Sequence, residues 1–135
     1  MSRPMLRHAF ILILLALLTG AVVPSTALPH LALSAHTIGL LGGALLIGIA
    51  AVWDQFDLGT GSKRVLYFSW LHANYANWLG CVVGAMTGAG RATPIASAGA
   101  KAGAVAETTV MVLLGSSAIA ALIAVGLSFY GLRAR

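Results

Sequence analysis

The segment "LALSAHTIGLLGGALLIGIAAVW", residues 31–53, runs 23 positions without an Asp, Glu, Lys or Arg. Coiled as an α-helix at about 1.5 Å per residue it reaches roughly 35 Å, enough to cross a hydrocarbon layer about 30 Å thick. A barrel strand needs only about 10 residues for the same crossing, so the length of the run selects helix over strand. Near its start stands His36, a titratable and metal-competent side chain where polar groups are kept only for packing or chemistry.

Three other segments have the same character: about Arg7–Val23, Val65–Thr87 and Ala104–Tyr130. The joints between them, "PSTALP", "DQFDLGTGSKR" and "GAGRATPIASAGAK", are rich in Pro, Gly, Ser or charge, which is the chemistry of turns. Across all 135 residues, 59% are hydrophobic, 8% are charged and the mean hydropathy is +0.94, more apolar surface than a soluble core of this size could hide. In lipid, every backbone polar group has to be satisfied within the chain. The expected fold is therefore all-α: one integral membrane domain over residues 1–135, built as a four-helix bundle.

The net charge is +5 and the pI is near 10.2. The basic residues sit at segment ends and form no stripe interleaved with aromatics, which excludes nucleic acid as a partner and leaves orientation in the bilayer as their role. Arg3, Arg7, Lys63, Arg64, Arg133 and Arg135 fall on one side of the layer, and only Arg91 and Lys101 on the other. Both termini are therefore expected in the cytoplasm, with the protein in the cell's inner membrane. A cleaved signal peptide is the competing reading of the N-terminus, with "AFILILLALL" as its apolar core and "STA" as its cleavage site. Continuation of the apolar run through "TGAVV" favours a retained first span. The single cysteine, Cys81, excludes an internal disulfide and a cysteine-rich metal site.

The first three spans hold no carboxylate in their interiors. Glu107, near the start of the fourth, is the only candidate for the proton-exchanging group that a small multidrug transporter requires; stabilising a helix N-terminus is its plainer role. In the third span Tyr67, Trp70, Asn74, Asn77 and Cys81 recur every three or four residues and share one face, with Trp78 beside them. Two carboxamides a turn apart in lipid require partners, either a neighbouring helix or a ligand. His72 falls on another face and reads as structural, and Trp53, at the loop edge, suits the interfacial aromatic belt. Gly39 and Gly43, and then Gly80, Gly84 and Gly88, recur at four-residue spacing as helix-packing strips.

With both termini inside, His36 lies about 7 Å below the outer surface, while Asn77 and Cys81 have risen about 18 and 24 Å from the inner one. The three are expected to be level and to line one pocket. A hydrogen-bonded packing role for His36 stays open at this point.

The chain carries "AH" at Ala35–His36, a glycine pair within one heptad, "WD" at Trp53–Asp54, "ANYANWLG" in the third span, and "GAG" followed by Pro94. In this order the motifs resemble hydroxylaminobenzene mutase. More distantly the chain is similar to styrene oxide isomerase, a four-helix membrane enzyme that carries haem b between protomers of a trimer. The resemblance implies an isomerase that is a homo-oligomer, a trimer by analogy, with His36 as the axial ligand of a ferric haem b. Where the epoxide isomerase has an asparagine six residues further on, this chain has Gly42. Its third-helix W-A-N matches Tyr75, Ala76 and Asn77, and a functional tyrosine four residues later corresponds to Cys81. The two departures favour the mutase branch over epoxide isomerisation. The implied reaction turns hydroxylaminobenzene and related arylhydroxylamines, intermediates of nitroaromatic degradation, into 2-aminophenols. Haem iron would act as a Lewis acid on the N–O group, and Asn77, with Asn74 and Tyr75, would orient the substrate.

Overall fold

Pro29 supplies the fixed φ and missing N–H that suit the first turn of a helix, and Gly88, at φ +78°, supplies the left-handed residue that ends one. Between such signals the chain forms α1 (Ser2–Val22), α2 (Pro29–Ala51), α3 (Thr60–Thr87) and α4 (Ala104–Gly131), with short 3-10 turns at Val23–Ser25 and Trp53–Gln55. This computed structural model describes residues 2–133, and they are all-α.

Three helices begin earlier than their apolar runs, α2 by two residues at Pro29. α1 takes in Arg3, and α3 takes in Lys63 and Arg64, because a long basic side chain can lie along a helix end and still reach the headgroups. Trp53, expected in the interfacial belt, instead lies just beyond α2 and is only 5% exposed. Its indole packs edge-on against Phe56 and Tyr67, with ring centroids 5.9 and 6.2 Å away, so apolar contact has drawn it inward.

Among the described residues, α1, α2 and α4 are each long and apolar enough to cross a membrane. α3 has the length, 28 residues, but His72, Asn74, Tyr75 and Asn77 make it the polar member. It packs against α2 on one side and α4 on another, with a smaller contact to α1. A polar helix in lipid has to lie among neighbours that satisfy its groups, and this arrangement gives α3 that place. The outward face of α4 is the opposite case: Leu122 and Phe129 are 76% and 83% exposed, an apolar surface suited to acyl chains.

The glycine strips are used between helices of the chain itself. A Cβ added to Gly80 would stand 2.8 Å from Leu114 Cδ2 on α4, and one added to Gly84 would stand 2.7 Å from Leu31 Cδ2 on α2. Small residues at these points let the backbones approach closely. Gly88 departs from the expected strip: it faces open space, and its positive φ makes it the terminator of α3. Beyond it, residues 88–103 return to α4 and are held by Glu107, which is 5% exposed. Its carboxylate accepts from the backbone N–H groups of Ala102 (2.9 Å), Arg91 (3.0 Å) and Gly90 (3.3 Å).

Candidate functional site

His36 is half-buried on α2 and turns toward α1. Its Nδ1 lies 2.7 Å from the Ala16 carbonyl oxygen. A carbonyl can only accept, so Nδ1 carries the hydrogen and Nε2 is the nitrogen left with a free lone pair in the neutral ring. No hydrogen bond engages Nε2 among the described residues. The ring rests over Gly20, where an added Cβ would be 2.6 Å from Nδ1. One turn along α2, Gly39 opens a gap in which Trp78 Cδ1 and Ala16 Cβ approach to 3.0 and 2.6 Å of the position a Cβ would take. The Trp78 indole N–H reaches across to donate to Thr19 Oγ1 at 3.2 Å, and Thr19 donates to the Leu15 carbonyl at 2.8 Å. One turn of α1, Ala16 to Gly20, thus meets both His36 and Trp78.

The depth expectation holds for His36 and Cys81, with Asn77 about one turn away along α3, but the described residues of the chain do not bring the three into a shared pocket. α2 and α3 run antiparallel, with Gly42 opposite Asn74, Gly39 opposite Trp78 and Leu31 opposite Gly84, which sets His36 level with Gly80 and Cys81. Cys81 is buried against Leu31, Ala32 and Ala35. Ala35 is the residue that faces α3, and the next position along a helix points about 100° away, so His36 faces α1 instead. Asn77 lies on α3 between Asn74, which meets α2, and Gly80, which meets α4, three residues from each and so about 60° from both. It is half-buried, and no hydrogen bond engages its carboxamide among the described residues.

The other two proposed substrate-orienting residues are already engaged. Asn74 is buried, donates from Nδ2 to the Trp70 carbonyl at 2.8 Å and sets Oδ1 against Gly42. The glycine at 42 is therefore what lets the α3 carboxamide lie against α2. Tyr75 donates its hydroxyl to the His8 carbonyl at 3.0 Å, and His8 Nδ1 is 3.3 Å from the Tyr75 hydroxyl oxygen, so this pair clamps α3 to α1. Trp70 is buried and donates to Ser128 Oγ at 3.2 Å, tying α3 to α4. His72, on the separate face expected of it, lies 3.0 Å from Ser116 Oγ. The Glu107 carboxylate is taken up by three loop N–H groups, so its role here is structural, but it pins the 88–103 loop where stabilisation of the helix N-terminus was the plainer reading.

Ala16, Thr19 and Gly20 were not legible as functional. "ALLTG" looks like any apolar span, and the only local sign is a Thr-Gly pair inside a leucine-rich helix. The parts played by Ala16 and Gly20 come from a carbonyl and an absent side chain, which sequence patterns do not mark.

Among the described residues no group of three or more His, Cys, Asp or Glu is gathered to hold a bare metal ion. A metal on His36 would have to arrive with most of its donors supplied by its own ligand. One imidazole with Nδ1–H tied to a carbonyl and Nε2 clear is the donor set that suits such a group, and metal-ligating histidines are oriented by this kind of bond.

The sequence model of the styrene oxide isomerase family matches residues 1–133. The chain belongs to this family of membrane isomerases. Hydroxylaminobenzene mutase HabB of Ectopseudomonas oleovorans is 35% identical over 134 residues, covering 98% of this chain and 82% of that protein. Hydroxylaminobenzene mutase HabA of the same organism is 32% identical over 105 residues, covering 77% of this chain and 78% of its own. Within the family, then, the kinship of this isomerase runs to the mutases. No solved structure matches it.

Proposed function

We propose that this isomerase converts hydroxylaminobenzene and related arylhydroxylamines to 2-aminophenols in the inner membrane, with both termini cytoplasmic. Kinship to two hydroxylaminobenzene mutases supports the substrate class. The observation that carries the site is the Nδ1–H bond of His36 to the Ala16 carbonyl, which holds the ring with Nε2 clear. His36 is the residue that would hold haem b, through Nε2. When bound, ferric haem would supply a Lewis acid that weakens an N–O bond.

The reaction is redox-neutral. The N–O bond breaks heterolytically, a C–O bond forms at the ring carbon ortho to nitrogen, and the proton lost there is balanced by one gained at nitrogen. Positive charge spreads into the ring as N–O lengthens, so bulk water has to be kept from trapping it. The apolar surroundings of α2 and α3 serve that exclusion. Asn77, whose carboxamide makes no hydrogen bond among the described residues, is the residue proposed to touch the substrate and stabilise developing charge. Asn74 and Tyr75 support it by fixing α3 against α2 and α1.

His36 and Asn77 lie on different seams of the protomer, so a site that uses both would be completed by a second copy. A trimer is the assembly proposed.

The test is chemical. Protein purified in mild detergent is given phenylhydroxylamine, and the aminophenol isomer is identified. The expected result is 2-aminophenol, with a haem absorbance that His36→Ala abolishes together with turnover. Undiminished turnover in His36→Ala, or in preparations free of iron and porphyrin, would overturn the reading of the cofactor; absence of any aminophenol would overturn the activity.

A further inference from the structure

In a helix, the carbonyl of residue i accepts from the N–H of residue i+4, and the side chain at i+4 covers that oxygen's second lone pair. Residue i+4 from Ala16 is Gly20, which has no side chain. The Ala16 oxygen is consequently open to a donor from outside the helix, and His36 Nδ1 occupies that opening at 2.7 Å. The fit is close on the ring as well: a Cβ at Gly20 would stand 2.6 Å from Nδ1, 2.8 Å from Cε1 and 3.2 Å from Cγ. Beside it, the Trp78–Thr19 bond ties the same turn of α1 to α3.

We infer that the Ala16–Gly20 turn of α1 is a positioning seat for His36, in which the bare Gly20 exposes the Ala16 carbonyl and that carbonyl selects the tautomer presenting Nε2. Gly20 is a positioning residue that acts through the imidazole. A hydrogen bond to a carbonyl raises the basicity of the far nitrogen and prevents ring rotation, both of which favour ligation at Nε2. The use of the seat rests on the proposal that His36 carries haem, while the seat itself is a property of the protein without it.

The experiment uses the full chain in detergent, with and without added hemin. Ring-15N spectra of histidine-labelled protein should assign Nδ1–H to His36 in the wild type. Gly20→Ala should lose that signature and bind hemin roughly 10- to 100-fold more weakly. Gly115→Ala, at a helical glycine with nothing within 4 Å, should match the wild type in both readouts. A double-mutant cycle guards against misfolding. With the imidazole removed the added methyl meets no ring, so Gly20→Ala should lower the unfolding midpoint in the wild-type background and scarcely in His36→Ala.

A Gly20→Ala protein that folds only when His36 is also Ala supports the seat; failure to fold in both backgrounds overturns it. An unchanged tautomer with unchanged hemin affinity, or an equal loss of stability in both backgrounds, also overturns it. If tautomer and coupling behave as expected while the wild type binds no hemin, the seat stands and the cofactor reading fails. If hemin binds through His36 with neither effect of Gly20→Ala, the seat alone is rejected.

Discussion

Gly39 and Gly48 lie on the same helix and give opposite expectations for the same substitution. A Cβ at Gly39 would stand 2.6 Å from Ala16 Cβ and 3.0 Å from Trp78 Cδ1, whereas one at Gly48 would meet nothing within 4 Å. Carbon atoms rest at about 3.5–4.0 Å, so Gly39→Ala requires roughly 1 Å of separation between α1 and α2. The nearest atom is a Cβ fixed to the α1 backbone, and no rotamer change can move it aside. Overpacking of this kind costs about 1–3 kcal/mol. Replacing glycine by alanine within a helix returns up to about 1 kcal/mol, a gain common to both sites that cancels in the comparison. Gly39→Ala should therefore be less stable than Gly48→Ala by about 1–3 kcal/mol. Equilibrium unfolding in mixed micelles, followed by helical circular dichroism, measures the difference. Moving α1 also withdraws the Ala16 carbonyl from His36, so Gly39→Ala should lose turnover that Gly48→Ala keeps. Stabilities equal to within about 0.5 kcal/mol would refute the close approach of α1 and α2.

The Trp78–Thr19 bond should show a coupling of about 0.6 kcal/mol, and at most about 1.7 kcal/mol, in a cycle of Trp78→Phe and Thr19→Val, measured by the same unfolding assay; no coupling would mean the bond contributes nothing. Glu107→Gln sets an amide NH2 against backbone N–H donors, so the thermal midpoint should fall while turnover per folded molecule is retained; a folded variant without turnover would assign Glu107 a chemical role. Asn77→Leu should reduce kcat on phenylhydroxylamine by about 100-fold with stability held, whereas Tyr75→Phe should lower stability by about 1 kcal/mol through loss of its bond to the His8 carbonyl and change kcat little. Initial-rate kinetics paired with unfolding curves separate the two cases.

How much of this was legible beforehand follows from the range of each interaction. Four helices, their approximate limits and the membrane as solvent came from the length of uncharged runs, because the cost of a charge or a bare peptide group in lipid applies position by position along the chain. The level of His36 with Cys81 was also readable, since rise per residue is a local constant. The polar character of α3 was written in Asn74, Asn77 and Tyr75, and spacing placed the two asparagines near one face.

Only the packing decided where each of those groups is used. Ala35 faces α3 and His36 faces α1, a difference of one residue that depends on how α2 is rotated against both neighbours at once. The rotation of α3 in turn leaves Asn77 without a hydrogen bond among the described residues, sets Asn74 on Gly42 and gives the hydroxyl of Tyr75 to α1. Hydropathy is nearly uniform around an intramembrane helix and so cannot fix its azimuth. The azimuth is set by where glycines permit contact and where a carbonyl stands uncovered, and those are facts about two helices together, present in neither sequence segment alone.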